Sequence, residues 1–236
     1  MTIAIIIAGG SGQRMREEIP KQFIEVDGRP VIIYTLETFE KSLEIDAIAV
    51  VCVEGWQEAL RAYAAQYHIT KLQWVIDGGA TAQESIRNGV FALEGVCRGD
   101  DIVVVHDGVR PMVEDYVLTD VLATCRKYGN AVTAMPYNEQ IFIADDGLST
   151  TRYIPRETLR RVSTPQAYRF ALLDEKYHEA YEKKIGIYGS AYANTMMVEL
   201  GQRLYFAAGS DKNIKLTTQD DLALFKAYLK MSEEKA

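Results

Sequence analysis

Five apolar runs of strand length, at residues 3–8, 46–53, 72–76, 101–106 and 131–136, alternate with stretches of helical hydrophobic period at residues 31–41, 55–67, 82–93 and 113–127. Parallel strands joined by crossover helices produce this alternation, because each helix buries one apolar stripe against a sheet that is itself apolar on both faces. The expected fold is therefore α/β, with a doubly wound, mostly parallel sheet. A length of 236 residues suits one such layered core, and no repeat, low-complexity tract or linker divides the chain, so residues 1–236 are read as a single domain.

The alternation breaks between about residues 137 and 164. There Asp146-Gly147, a turn signal, lies between two strand-like segments and predicts a β-hairpin with no crossover helix of its own. Such a hairpin projects from the body, and residues 137–156 are read as a dimerisation arm. Further helices are expected at 171–182, at 193–200 and from 219 onward, with strands at 203–207 and 213–216. Thr218, with Asp221 three residues on, has the form of a helix-capping box, and residues 232–236 read as a polar frayed tail.

Charge narrows the partners. Lys and Arg total 26 against 33 Asp and Glu, a net charge of −7, whereas nucleic-acid and anionic-membrane binders carry a basic surplus. No run approaches the ~18 apolar residues that span a bilayer. The N-terminal stretch lacks a basic lead and is interrupted by glycines after Ala8, so it reads as a buried strand and not a signal peptide. Cys52, Cys97 and Cys125, an odd set without CxxC spacing, read as free thiols of a cytoplasmic protein.

The first strand runs into Ala8-Gly9-Gly10-Ser11-Gly12-Gln13-Arg14-Met15, followed by Pro20-Lys21-Gln22-Phe23. Glycines at the carboxyl end of a parallel strand let backbone N–H groups approach phosphate oxygens closely. The turn is not a P-loop, since no Gly-Lys-Ser/Thr follows, and Met15 occupies the place of the third glycine in a dinucleotide fingerprint. It carries instead two cations, Arg14 and Lys21, the type of fixed charge that stabilises phosphoryl or nucleotidyl transfer.

These two segments resemble the signature of the 2-C-methyl-D-erythritol 4-phosphate / ribitol-5-phosphate cytidylyltransferase family. Further matches follow in chain order: Asp77-Gly78-Gly79 with Ser85, His106-Asp107-Gly108-Val109-Arg110-Pro111, Arg156 ahead of Thr164-Pro165-Gln166, and Asn213-Ile214-Lys215 before Thr217. The resemblance covers about residues 3 to 230 and implies a Rossmann-like nucleotidyltransferase that moves CMP from CTP to a polyol phosphate. It implies Arg14, Lys21 and Lys215 as catalytic cations, and Asp107, at the end of an apolar run, as the ligand of Mg²⁺. Ala8, Gly9, Gly10, Ser11, Gly12, Gly79, Ser85 and Thr164 would contact the nucleotide. Arg110, Arg156, Gln140 and Tyr192 would contact the acceptor, with Arg156 serving the neighbouring subunit of a homodimer. His106 is read as a packed strand-end residue, since an ionised acceptor phosphate needs no base.

The chain also departs from the family pattern. Ala80-Thr81-Ala82-Gln83-Glu84 stands where an acidic residue and an arginine are usual, Tyr192-Ala193 where Thr-Asp commonly opens a late helix, and Gln140 where a threonine is frequent. These acceptor-side changes favour ribitol 5-phosphate, or a related alditol phosphate, over methylerythritol phosphate. A module that binds CTP or CDP without turnover is the rival of a different class.

Overall fold

The computed structural model describes residues 1–10, 19–189 and 192–233. β1 (Thr2–Ala8) is a run of aliphatic residues buried on both faces, the pattern of a central parallel strand. Farther on, Asp27 and Gly28 take left-handed backbone, with φ of 51° and 75°, and close a small hairpin of β2 (Glu25–Val26) and β3 (Arg29–Pro30). These strands are too short for an apolar-run pattern to register. Next come α1 (Val31–Lys41), β4 (Ala47–Cys52), α2 (Gln57–Gln66), β5 (Leu72–Asp77), α3 (Ala82–Phe91), β6 (Ile102–Asp107), α4 (Asp115–Tyr128) and β7 (Asn130–Pro136). This is the expected alternation, with no end moved by more than two residues.

The break in the pattern holds two features. β8 (Ile141–Ile143) and β9 (Arg152–Ile154) pair with each other in a separate two-stranded sheet, as the hairpin reading predicts. Their connection is longer than a two-residue turn: the Asp146 carboxylate accepts from the Leu148 and Ser149 N–H groups, and Gly147 takes φ 82°. The second feature is β10 (Arg160–Arg169), a strand that the apolar pattern misses. It runs antiparallel between β7 and β6, and its register shifts between Ser163 and Gln166. Arg160, Arg161, Ser163 and Pro165 interrupt the apolar alternation that would reveal it.

The chain ends with α5 (Phe170–Lys183), α6 (Ala193–Glu199), β11 (Phe206–Ala208) and α7 (Gln219–Glu233). β11 pairs in parallel with β7 and lies later than the 203–207 expectation. Residues 213–216 are not a strand: the Asn213 and Ile214 N–H groups bond the local Ser210 and Lys212 carbonyls, the Leu216 N–H bonds Val109 O, and no ladder forms among the described residues. Thr218 caps α7 as expected: its hydroxyl accepts from Asp221 N–H, and the Asp221 carboxylate accepts from Thr217 and Thr218. α7 continues through residue 233, so residues 232 and 233 of the expected tail are helical, and the rest of it lies outside the described residues.

The seven-stranded sheet has the order β11-β7-β10-β6-β1-β4-β5, with β10 alone antiparallel. Side chains alternate along β1, so Ala4, Ile6 and Ala8 pack in one cluster with α1, α2 and α4, while Ile3 and Ile5 pack in another with α3, α5 and α6. Both faces are therefore covered. Val31, Val109, Leu216 and Phe225 form a third cluster that seats α7. Cys52 and Cys125 are buried, Cys97 is partly so, and all three are free thiols. Crossovers leave β1 toward β4 and leave β6 toward β7, which makes the carboxyl ends of β1 and β6 the switch point where open α/β sheets hold ligands.

Candidate active site

A cavity of about 430 Å³ opens at that switch point. Ala8, Gly9 and Gly10 line it from the end of β1, Lys21 and Gln22 from a 3-10 turn (Lys21–Phe23), Gly79 from the turn between β5 and α3, Ser85 from the first turn of α3, and Asp107 from the end of β6. Thr164, Tyr192 and Lys215 complete its other wall. Most of the residues that the sequence nominates thus share one cavity. Ser11, Gly12 and Arg14 lie outside the described residues.

The glycine side is tightly built. Gly79 N–H donates to Ser85 Oγ at 3.0 Å, and a Cβ on Gly9 would stand 2.9 Å from that same hydroxyl. A Cβ on Gly79 would meet Glu84 Cβ at 2.3 Å, so both glycines are required by close approach. Thr81 Oγ1 accepts from Glu84 N–H at 3.1 Å while Glu84 Oε2 accepts from Ala80 N–H at 2.8 Å, a reciprocal cap on α3. The segment that departs from the family pattern is therefore a helix start, and its Thr-x-x-Glu spacing is the signal that identifies it.

The opposite wall is a charged clasp. Asp107 accepts at Oδ2 from Arg110 Nε (2.8 Å) and at Oδ1 from Lys215 Nζ (3.0 Å). Its N–H donates to Thr164 Oγ1 at 3.1 Å. Burial works to raise the Asp107 pKa, but the Lys215 ammonium and the Arg110 guanidinium overcome it and hold the carboxyl down at about 2. Asn213 braces the same group: its backbone oxygen accepts from Arg110 at 2.8 Å, and its side-chain amide donates to Thr164 O at 2.6 Å. Lys215 also lies over the Tyr192 ring, 5.5 Å from its centre.

Two of the nominated residues have partners within the protein. Arg110 is not among the residues that line the cavity; its two side-chain hydrogen bonds go to Asp107 and to the Asn213 carbonyl, so it braces Asp107. Thr164 lines the cavity but spends its hydroxyl on Asp107. His106 is packed as expected: it is fully buried against Phe39, Nε2 lies 3.0 Å from Arg110 O, and burial pushes its pKa down to about 4.

Gln140 and Arg156 lie together elsewhere. They line a separate groove on the hairpin with Phe142, Tyr153 and Pro155, and none of its residues lines the first cavity. Arg156 pairs loosely with Glu157 at 3.6 Å. Phe142 and Tyr153 are exposed, as is Leu148 at the hairpin tip. Among the described residues no second carboxylate lines the first cavity, and no helix is long and apolar enough to cross a membrane.

Residues 2–231 match the family model described as 2-C-methyl-D-erythritol 4-phosphate cytidylyltransferase (IspD). The chain is 57% identical over 233 residues to a ribitol-5-phosphate cytidylyltransferase of Lacticaseibacillus paracasei, covering 99% of this chain and 100% of that one. It is 34% identical over 230 residues to a 2-C-methyl-D-erythritol 4-phosphate cytidylyltransferase of Geobacter metallireducens, covering 96% and 97%. The crystal structure of a 4-diphosphocytidyl-2C-methyl-D-erythritol synthase of Anaerococcus prevotii superposes with a TM-score of 0.82 at 25% identity, covering 98% of each chain.

Proposed function

Because the chain belongs to the 2-C-methyl-D-erythritol 4-phosphate cytidylyltransferase (IspD) family and is a CTP-dependent nucleotidyltransferase, we propose that it transfers CMP from CTP to ribitol 5-phosphate, or a closely related alditol phosphate. The observation that carries the choice of acceptor is the 57% identity, across the whole chain, to a ribitol-5-phosphate cytidylyltransferase. Tyr192 beside Lys215 in the cavity wall supports it, since this bulky ring replaces a smaller polar residue of the family pattern.

In the proposed reaction an oxygen of the acceptor phosphate attacks the α-phosphorus of CTP in line. A P–O–P linkage forms, the bond to the β-phosphate oxygen breaks, and pyrophosphate leaves. A phosphate monoester is largely ionised near pH 7, with a second pKa of about 6, so the nucleophile needs no base. His106, buried and neutral, has no proton to take. Catalysis then reduces to positioning and charge offset. Lys21 and Lys215 at the cavity, with Arg14, are assigned the charge offset, while Gly79 and Ser85 flank the nucleoside.

Asp107 suits Mg²⁺: it is ionised, it lies in the cavity wall, and Mg²⁺ commonly takes one or two carboxylates together with waters and substrate phosphates. When bound there the ion would neutralise phosphate charge. The exposed apolar hairpin supports a homodimer in which Arg156 and Gln140 reach the neighbour's cavity, since an isolated two-stranded hairpin is marginal in water. A cytoplasmic location accords with the free thiols.

Pyrophosphate release with CTP, Mg²⁺ and a panel of acceptors tests the proposal. Ribitol 5-phosphate should give the highest kcat/KM. A value for methylerythritol phosphate equal to or above that of every alditol phosphate would return the chain to the reaction named in the family's description, and CTP binding without any pyrophosphate release would leave a binding module.

A further inference from the structure

Gln22 has no role in the scheme above, yet it combines two features that seldom meet. It lines the cavity, and it is 1% exposed. Its amide nitrogen donates to Ala8 O at 2.6 Å and to Gly10 O at 3.1 Å, so both amide hydrogens serve the glycine turn. Ala8 O also accepts from Val53 N–H at 3.1 Å.

The side chain is held from behind. Phe23 is buried and stacks on Trp56 with ring centres 4.6 Å apart, and Phe23 N–H closes the turn on Pro20 O at 2.8 Å. The amide therefore reaches the glycine turn from an anchored position.

Resting on the reading of this cavity as a CTP site, we propose that Gln22 is a positioning residue for the triphosphate: by occupying the Ala8 and Gly10 carbonyl oxygens it keeps the glycine turn a donor surface. A carbonyl oxygen carries partial negative charge, and a bare one beside a polyphosphate repels it, while a buried one without a donor is itself costly. The occupant must donate two hydrogen bonds and add no charge that competes with the neighbouring Lys21. A glutamine amide meets both conditions. Glutamate at neutral pH only accepts, and methionine has the length without the donors.

The test separates phosphate from nucleoside. Binding of CTP, inorganic tripolyphosphate and cytidine is measured by calorimetry, with NMR titration for the weak nucleoside, on wild type, Gln22→Met and Gln22→Asn. Gln22→Asn keeps the amide but is one methylene too short to hold both carbonyls, and it serves if Gln22→Met does not fold. The expected result is a loss of about tenfold or more for CTP and tripolyphosphate, with cytidine unchanged within about twofold and wild-type circular dichroism. Unchanged tripolyphosphate binding in the folded variants overturns the assignment and leaves the CTP reading intact. Equal weakening of cytidine also overturns it, because a merely structural residue would act on both. A wild-type protein that binds neither CTP nor tripolyphosphate removes the CTP reading and this inference with it.

Discussion

Replacing Lys215 by methionine removes the ammonium while keeping most of the side chain's bulk, and the structure sets the size of two effects. The ammonium lies 3.0 Å from Asp107 Oδ1, where Coulomb attraction at an effective dielectric of about 20 is about 5 kcal/mol. Desolvation offsets most of this, and hydrogen bonds to charged groups net roughly 1.5–3 kcal/mol. Lys215 is 28% exposed and Asp107 keeps Arg110, so the loss of stability in urea at pH 7 should fall near the lower end of that range. The loss depends on pH. Asp107 has a depressed folded pKa, so its contribution is present above its unfolded value of about 3.9 and disappears as pH falls toward about 2. The gap between wild type and variant should therefore close across that acid window. Turnover carries the second effect: a fixed cation facing developing phosphate charge is worth on the order of 10²–10³ in kcat. Steady-state pyrophosphate release and urea unfolding read the two separately. A variant that is destabilised but turns over within twofold of wild type would confine Lys215 to bracing Asp107, and one unchanged in both would refute the clasp as described.

Lys21→Ala should lower kcat by about 10²-fold with the fold retained, as judged by circular dichroism. CTP should bind more tightly than ATP in calorimetry with Mg²⁺, and equal binding would remove Gly79 and Ser85 from base selection. Thr81→Ala should cost about 1 kcal/mol in urea unfolding through loss of the α3 cap, a cost that a wild-type midpoint would contradict. Mixing Lys21→Ala with Arg156→Ala subunits should restore roughly a quarter of wild-type activity if each cavity borrows Arg156 from its neighbour, since half the dimers would hold one intact site. A monomer in ultracentrifugation, or no recovery, would place Arg156 outside the site.

What the sequence discloses follows the range of the interactions involved. β1, β4 and β6 are buried on both faces, so their residues must be apolar in unbroken runs, and the parallel frame and its switch point are legible without coordinates. β10 is equally central over Gln166–Arg169, but its first half pairs only with the end of β7 and tolerates arginines, so its pattern is mixed. The segment 213–216 errs the other way: its apolar residues are buried by α7's cluster and not by a ladder. At the site, the place of Asp107 in the cavity wall is legible because it stands one residue past an apolar run, at the carboxyl end of a strand. Arg110 is not, because a guanidinium three residues from a carboxylate can reach outward to a ligand or fold back, and the choice is made by the carbonyl of Asn213, 103 residues away. The same holds for Gln22, whose partners are backbone oxygens 12 and 14 residues earlier. A motif shows which charged and polar groups converge on a site. Which of them face the substrate and which hold their neighbours depends on the nearest complementary atom in the fold, so a cation already spent on a buried carboxylate reads in sequence like one aimed at a phosphate.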